Sequence, residues 1–154
     1  RMTHSVTAGE VMTTDVVFIK KDDTLETAAE IMARHGIAGV PVVENGEEVV
    51  GVISEKDFLF QMGGGNARSF MEVVAKCLRD KGCVAIPLRR QKAEDIMSSP
   101  AITVRENTPV SEIATIFTEK EINRVPVTDD GGKLLGIIAR EDILKSSFPQ
   151  NQKG

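Results

Sequence analysis

The sequence predicts an α/β fold of the α+β type, in which two repeated β-α-β-β-α units pack sheet to sheet about a pseudo-two-fold axis. Two observations predict this fold. Short motifs recur 85 positions apart, as Pro41 and Pro126 do, and helix-like and strand-like hydrophobic spacing recurs at the same offset. Because a unit of roughly 55 residues is marginally stable alone, the two units are expected to pack together.

Three motifs carry the repeat. Met-Thr at 12–13 returns as Met-Ser at 97–98, and Val-Pro-Val at 40–42 returns at 125–127. Gly-Val-Ile-Ser-Glu-Lys-Asp at 51–57 returns as Gly-Ile-Ile-Ala-Arg-Glu-Asp at 136–142. The constant offset indicates that both copies contain the same elements in the same register.

The first long helix of each unit has a start signal and an apolar face. Asp23 followed by Glu26 is typical of a capping box, and Thr108 followed by Pro109 is typical of an N-cap and first helical position. Apolar residues then recur at i, i+3, i+4 and i+7, which predicts an amphipathic helix in both copies. These residues are Leu25, Ala28, Ala29 and Met32 in the first copy and Val110, Ile113, Ala114 and Phe117 in the second.

A hairpin and a last helix complete each unit. The strand that contains Val-Pro-Val is followed by turn residues at Asn45–Gly46 or at 130–132, and then by a second apolar run at 49–53 or 134–138. The last helix is expected to begin near Ser54 in the first copy and Ala139 in the second.

The repeats divide the chain into residues 1–60, a linker at 61–94, and residues 95–154. The three glycines at 63–65 predict a flexible joint rather than a phosphate loop, since no Lys-Ser or Lys-Thr follows at the required spacing. Apolar spacing predicts an amphipathic helix over 67–79. This helix either covers the protein's own surface or contacts a second copy or a partner.

Composition excludes several classes of protein. The net charge of −4 argues against a broad nucleic-acid surface, and the basic residues at 88–92 are expected to be a solvated part of the linker. No apolar run is long enough for a membrane span, and no signal peptide is indicated, so a cytoplasmic protein with reduced cysteines is expected. A zinc site from Cys77, Cys83 and a histidine lacks a complete ligand set.

The tandem motifs resemble a pair of CBS domains, also called a Bateman module. The resemblance covers residues 8–60 and 93–146, and it implies two compact units with a regulatory role. Adenosine-containing ligands, above all AMP, ADP or ATP, would bind in the clefts between the units and shift their packing. An S-adenosylmethionine or NAD sensor, and a protein interaction or dimerisation module with degenerate clefts, remain alternatives.

The resemblance implies ligand residues for a first cleft. Asp57 would accept hydrogen bonds from the two ribose hydroxyls, since a carboxylate offers two acceptor oxygens. Ser54 would contact ribose or phosphate, and Arg124 would bind phosphate through its planar guanidinium. Asn123 departs from the histidine that the family often has. The predicted first-cleft residues are Ser54, Lys56, Asp57, Asn123, Arg124, Thr14, Val16, Val40 and Pro41.

A second cleft is implied with one polar group fewer, because Ala139 stands where the first copy has a hydroxyl. The two clefts are therefore expected to be inequivalent. The predicted second-cleft residues are Asp142, Arg140, Ser99, Ala101, Ile102, Val125 and Pro126.

No catalytic constellation is legible in the sequence. His4 lies near the terminus and His35 at a helix end, so neither is placed as a base in a hydrolytic triad. A non-enzymatic protein is expected, with an adenine nucleotide as regulatory ligand and no catalytic cofactor. Its expected partners are a second copy in a homodimer and an unidentified regulated protein.

Overall fold

The computed structural model describes residues 5–62 and 91–146. The chain divides into two compact units, with boundaries after Val16 and after Ala101. We name the units by their aspartates. Of the described residues, the Asp57 unit contains 17–62 and 91–101, and the Asp142 unit contains 5–16 and 102–146. The helix predicted over 67–79, both cysteines and the basic residues at 88–90 lie outside the described residues.

Each unit contains one three-stranded sheet. The first strand of the sheet is parallel to the central one, and the third is antiparallel to it. The elements in chain order are α1 (Ala8–Val11), β1 (Ile19–Lys20), α2 (Leu25–His35), β2 (Gly39–Glu44), β3 (Glu48–Ser54), α3 (Glu55–Met62), α4 (Ala93–Ile96), β4 (Val104–Arg105), α5 (Val110–Lys120), β5 (Arg124–Thr128), β6 (Leu134–Ala139) and α6 (Arg140–Ser146).

The β-α-β-β-α order predicted for each repeat is confirmed. The bounds of α5 are those of α2 shifted by 85 positions, and β4 repeats β1 in the same way. The predicted hairpin turns lie between β2 and β3 and between β5 and β6. The short helices α1 and α4 were not predicted, and α4 begins inside the segment that was assigned to the linker.

The apolar faces predicted for the long helices lie in the two cores. All four predicted residues of α2 are fully buried, and they pack with β-strand residues such as Ile19 and Ile53. In α5, Ile113 and Phe117 are buried, whereas Val110 and Ala114 are partly exposed. Burial of these faces from water holds each helix on its sheet.

The predicted helix caps are each wrong by one residue. The N-cap of α2 is Thr24, whose hydroxyl accepts a hydrogen bond from the Thr27 amide at 3.1 Å, and not Asp23. The N-cap of α5 is Pro109, and not Thr108. The reason is the same in both units, because these side chains are used in the preceding turn.

That turn repeats between the units. The Asp23 carboxylate accepts a hydrogen bond from the Lys20 amide at 2.8 Å, and the Thr108 hydroxyl accepts one from the Arg105 amide at 3.0 Å. Short polar side chains compete in this way for nearby backbone amides. The polar residue therefore closes the turn between strand and helix, and the helix begins one residue later.

The segment before each repeat packs on the other repeat. In the Asp142 unit, the amide of Ala8 donates to Thr108 O at 2.8 Å, and Thr13 and Ile137 exchange two backbone hydrogen bonds of 2.9 Å. The Asp57 unit contains the equivalent contacts of 93 with 23 and of 98 with 52. The sequence repeats thus exchange their leading segments to form the compact units.

One position distinguishes the ends of the two long helices. Gly36 ends α2 with a φ of 62°, and Glu121 ends α5 with a φ of 57°. Left-handed backbone costs a residue with a Cβ about 1 kcal/mol more than glycine.

Replacing Glu121 with glycine should therefore raise the free energy of unfolding by about 1 kcal/mol. Gly36→Ala is the matched control, because a Cβ there would meet nothing within 4 Å and only the backbone effect remains. It should lower the free energy of unfolding by a similar amount. Denaturant titration measures both, and an unchanged or less stable Glu121→Gly variant would contradict the backbone argument.

Candidate functional site

The two predicted ribose-binding aspartates occupy the same place in the two units. Asp57 is the third residue of α3, and its Oδ2 accepts a hydrogen bond from the Ser54 amide at 2.8 Å. Asp142 is the third residue of α6, and its Oδ2 accepts one from the Ala139 amide at 2.7 Å. Each carboxylate therefore caps the start of a helix. A carboxylate offers about four lone-pair directions, so the cap leaves acceptor capacity for a ligand.

Burial sets the electrostatics of Asp57. The carboxyl is half-buried, and this desolvation raises its pKa above the usual value for an aspartate. Hydrogen bonds from the backbone and side chain of Ser54, and the charge of Lys56, act in the opposite direction but do not outweigh it. The ionised form of Asp57 is therefore less favourable in the folded protein than in the unfolded chain.

This raised pKa predicts a pH dependence of stability. The folded state binds the Asp57 proton more tightly than the unfolded state, so the contribution is fully present below the unfolded pKa of about 3.9 and is lost as pH rises through the folded pKa. The stability of the natural chain relative to Asp57→Asn should fall as pH rises from below the unfolded pKa through the folded pKa. Denaturation of both proteins across this range measures it, and a flat or rising difference would show that the pKa is not raised.

The pair of residues before Val-Pro adjoins the start of the last helix in each unit. In the Asp57 unit, the Glu55 amide donates to Ala38 O at 2.9 Å, and Gly39 pairs with Ser54. In the Asp142 unit, the Arg140 amide donates to Asn123 O at 3.0 Å, and Arg124 pairs with Ala139.

The two units therefore differ in charge where the pair before Val-Pro adjoins the start of the last helix. Arg124, Arg140 and Asp142 all lie at the junction of β5, β6 and α6, and Arg124 Nη1 also donates to Asn123 Oδ1 at 3.3 Å. The corresponding pair in the Asp57 unit, Ala38 and Gly39, has no side-chain cation. Lys56, on α3, is exposed there.

The exchanged segments end beside these helix starts. Ser98 is bonded to Val52, two residues before Ser54, with hydrogen bonds of 2.9 and 3.1 Å. The chain after it contains Ser99 and Ala101. Thr13 is bonded to Ile137 in the same way, and the chain after it contains Thr14 and Val16.

The structure places every predicted site residue in one of the two units. The Asp57 unit contains Val40, Pro41, Ser54, Lys56, Asp57, Ser99 and Ala101, and the Asp142 unit contains Thr14, Val16, Ile102, Asn123, Arg124, Val125, Pro126, Arg140 and Asp142. Each predicted cleft thus draws on both units. The structure brings these residues together within units, and their assembly into clefts stays a prediction.

Four of the predicted cleft residues have a packing role as well. Val40 and Val125 are fully buried in their unit cores, and Pro41 and Pro126 are buried beside them. In contrast, Thr14 and Ser99 are exposed, and Ile102 is 38% exposed. The exposed residues are those that are free to contact a ligand without any change in a core.

Sequence reasoning missed the partners of the Met-Thr and Met-Ser motifs. Met12 lies against Gly136 and Met97 lies against Gly51, at distances that leave no space for a Cβ on either glycine. A glycine inside a strand often marks such a close approach. The recurrence of both glycines at the repeat offset was the signal for this contact.

The described residues contain neither a metal-ligand cluster nor a membrane-spanning helix. Within residues 5–62 and 91–146, no three His, Cys, Asp or Glu side chains group as a potential metal site. In the same ranges, no helix has the length and apolar character that crossing a bilayer requires. The zinc ligands considered above, apart from His35, lie outside these ranges.

Comparison with known proteins gives a family match over most of the chain. The CBS domain family model matches residues 8–64 and 93–148. An uncharacterised protein of Methanopyrus kandleri is 34% identical over 141 residues, which are 92% of this chain and 62% of the relative. The chain therefore spans about three fifths of the length of that relative.

Two solved structures have the same fold. CBSX2 in complex with AMP matches with a TM-score of 0.71 and 24% identity, over 92% of this chain and 95% of that one. The CBS domain pair of MJ0100, in complex with 5′-methylthioadenosine and S-adenosyl-L-methionine, matches with a TM-score of 0.69 and 24% identity, over 94% and 97%. At this identity the likeness concerns the fold.

Proposed function

The chain belongs to the CBS domain family, and from this premise we propose that it is a regulatory module that senses an adenosine-containing small molecule. AMP, ADP and ATP are the ligands that we propose first. The module would bind its ligand beside the starts of α3 and α6, and a change in the relation of the two units would pass the signal to a regulated protein. This role is regulatory rather than catalytic.

The geometry of Asp57 is the observation that carries the proposal. A half-buried carboxylate with a raised pKa is costly in a folded protein, and such groups concentrate at functional sites. Asp57 uses Oδ2 to cap α3, and its remaining acceptor sites suit the adjacent hydroxyls of a ribose. Ser54 lies at the same helix start and adds a hydroxyl.

The chemical class of the ligand is supported by proteins of the same fold. CBSX2 binds AMP, and the CBS pair of MJ0100 binds 5′-methylthioadenosine and S-adenosylmethionine. The part common to these molecules is adenosine. A ribose-binding carboxylate would serve all of them, so the groups around it would decide which one this chain prefers.

The two clefts are proposed to bind with different affinities. The Asp57 unit supplies both a hydroxyl and a carboxylate at its helix start, whereas the Asp142 unit has Ala139 in place of the hydroxyl. Arg124 lies in the Asp142 unit, but we propose that it binds phosphate in the first cleft together with Asp57, which makes this cleft the stronger of the two. Two equal and independent affinities for one ligand would contradict this part of the proposal.

The path of the chain suggests how binding is transmitted. The backbone passes from one unit to the other directly after Val16 and directly after Ala101. Both residues belong to the predicted ligand-lining segments. A ligand that orders these segments would therefore act directly on the two places where the chain passes between the units. It would shift the equilibrium between two arrangements of the units only by the difference in its affinity for them.

A melting experiment with a ligand panel tests the proposal. AMP, ADP, ATP, S-adenosylmethionine and NAD are added at increasing concentration. A ligand at 100 times its dissociation constant should stabilise the protein by about 2.7 kcal/mol, and so raise Tm by roughly 5–10 °C. If none of these ligands changes Tm, the proposal is contradicted and a protein interaction module is favoured.

A further inference from the structure

Two methionines fill the spaces over two strand glycines. A Cβ built on Gly136 would lie 2.6 Å from Met12 Sδ and 2.9 Å from Met12 Cγ. A Cβ built on Gly51 would lie 2.8 Å from Met97 Cγ. Contacts this short do not occur in proteins, so each thioether lies directly against bare glycine backbone. The arrangement is repeated in both units.

Each methionine lies beside the backbone pairing that holds an exchanged segment. Met12 precedes Thr13, which pairs with Ile137, and Gly136 precedes Ile137 on β6. Met97 precedes Ser98, which pairs with Val52 next to Gly51. We name each methionine–glycine contact with its adjacent pairing a methionine clip. The clips fasten the leading segment of one repeat to the third strand of the other.

Both methionines are only partly buried. Met12 and Met97 pack against the edges of the two cores, whereas Met32 is fully buried in the first core. Hydrogen peroxide or another hydroperoxide reaches a thioether most readily where the side chain is exposed. Met32 therefore serves as an internal reference for protection by burial.

Oxidation would change the shape and polarity of a clip. The methionine sulfur attacks one oxygen of hydrogen peroxide, and an S–O bond forms as the O–O bond breaks. The other oxygen leaves as hydroxide and takes the proton from the oxygen bound to sulfur, so that water is released. The thioether loses two electrons and becomes a polar sulfoxide. The new oxygen needs space and hydrogen-bond donors, and the tight contact with Gly51 or Gly136 supplies too little space for it.

We propose that Met12 and Met97 form a redox-sensitive pair of clips. Peroxide opens them, and a methionine sulfoxide reductase closes them with two electrons and two protons from a dithiol, so that the sulfoxide oxygen leaves as water. Opening would release the leading segments from β3 and β6 while the long helices remain on their sheets. The proposal rests on the contacts within each unit and not on any ligand. If the proposed function also holds, opening would weaken ligand binding, because Thr14 and Ser99 follow the two pairings.

Limited oxidation of the natural chain tests the clips. The protein is treated with hydrogen peroxide and then with dithiothreitol, which reverses disulfides and sulfenic acids but leaves methionine sulfoxide. Peptide mapping should find sulfoxide at Met12 and Met97 about tenfold faster than at Met32. Hydrogen exchange should then accelerate about tenfold at the paired amides of Ile137 and Val52.

The double variant Met12→Leu, Met97→Leu is the matched control. Leucine keeps an apolar side chain without an oxidisable sulfur, and the other methionines are unchanged. Its exchange at Ile137 and Val52 should not respond to peroxide, and a methionine sulfoxide reductase should restore slow exchange in the oxidised natural chain. Protection of Met12 and Met97 equal to that of Met32, or sulfoxide formation without faster exchange, would overturn the proposal. The natural chain alone decides this if the variant does not fold.

Discussion

Replacing Gly136 with alanine should lower the free energy of unfolding by about 1–3 kcal/mol, which is typical of an overpacked site. The new methyl group would lie 2.6 Å from Met12 Sδ and 2.9 Å from Thr13 O. The methionine side chain can move, but the backbone oxygen belongs to the pairing of Thr13 with Ile137 and cannot move without breaking it. Gly51→Ala should behave alike, since its methyl group would lie 2.9 Å from Ser98 O.

Gly131→Ala provides the control for this prediction. Its nearest neighbour would be Asp129 Oδ1 at 3.5 Å, an ordinary contact, so stability should change little. Adding Met12→Ala to Gly136→Ala should recover only part of the loss, because the contact with Thr13 O remains. Full recovery, or a Gly136→Ala protein as stable as the natural chain, would contradict the close approach that the structure shows.

Replacing Asp57 with asparagine should weaken binding of the sensed adenosine ligand roughly 10- to 100-fold. Hydrogen bonds to a charged group contribute about 1.5–3 kcal/mol, and asparagine has one acceptor oxygen where aspartate has two. The remaining oxygen can still accept the hydrogen bond from the Ser54 amide, so α3 keeps its cap. Fluorescence or calorimetric titration with the ligand measures the change.

Asp142→Asn is the matched variant in the other unit. It should leave the stronger of the two binding events in place, because that event is proposed to depend on Asp57 and Ser54. Equal weakening of both events by either variant would show that the two clefts do not bind separately. Unchanged binding in Asp57→Asn would remove Asp57 from the site.

Much of the fold was predictable because the sequence repeats its physical pattern. Apolar spacing in α2 and α5 agrees with the buried faces, and the recurrence of Val-Pro-Val and of the turn residues agrees with the hairpins. The two copies differ in many residues but keep the same apolar spacing. This shared spacing supports one order of helices and strands far more strongly than a single copy would. The order of elements in each unit therefore followed from local information.

The helix caps were misplaced because two polar residues compete for one role. Asp23 and Thr24 are both good N-cap residues, and the structure uses Asp23 to close the turn before the helix. Local sequence does not show which amide a side chain will select. In the other unit the Thr108 hydroxyl is likewise used by the Arg105 amide, so the N-cap of α5 is Pro109.

The exchange of leading segments was not predictable from propensity, because it depends on contacts distant in sequence. Ala8 meets Thr108, and Ser98 meets Val52. The prediction of the site was limited for the same reason, because it also depends on contacts distant in sequence. Resemblance selected Asp57 and Asp142, but only the structure shows that Arg124 pairs with Ala139, that Thr13 pairs with Ile137 on β6, and that Ser98 pairs with Val52 on β3.

Titration calorimetry of AMP into the natural chain and into the double variant Asp57→Asn, Asp142→Asn tests the central claim most directly. The account predicts saturable binding by the natural chain and binding at least about tenfold weaker in the folded double variant. Equal affinity in both proteins would contradict the role of the two aspartates. No saturable binding of AMP, ADP, ATP, S-adenosylmethionine or NAD by the natural chain would contradict the proposed sensing function itself.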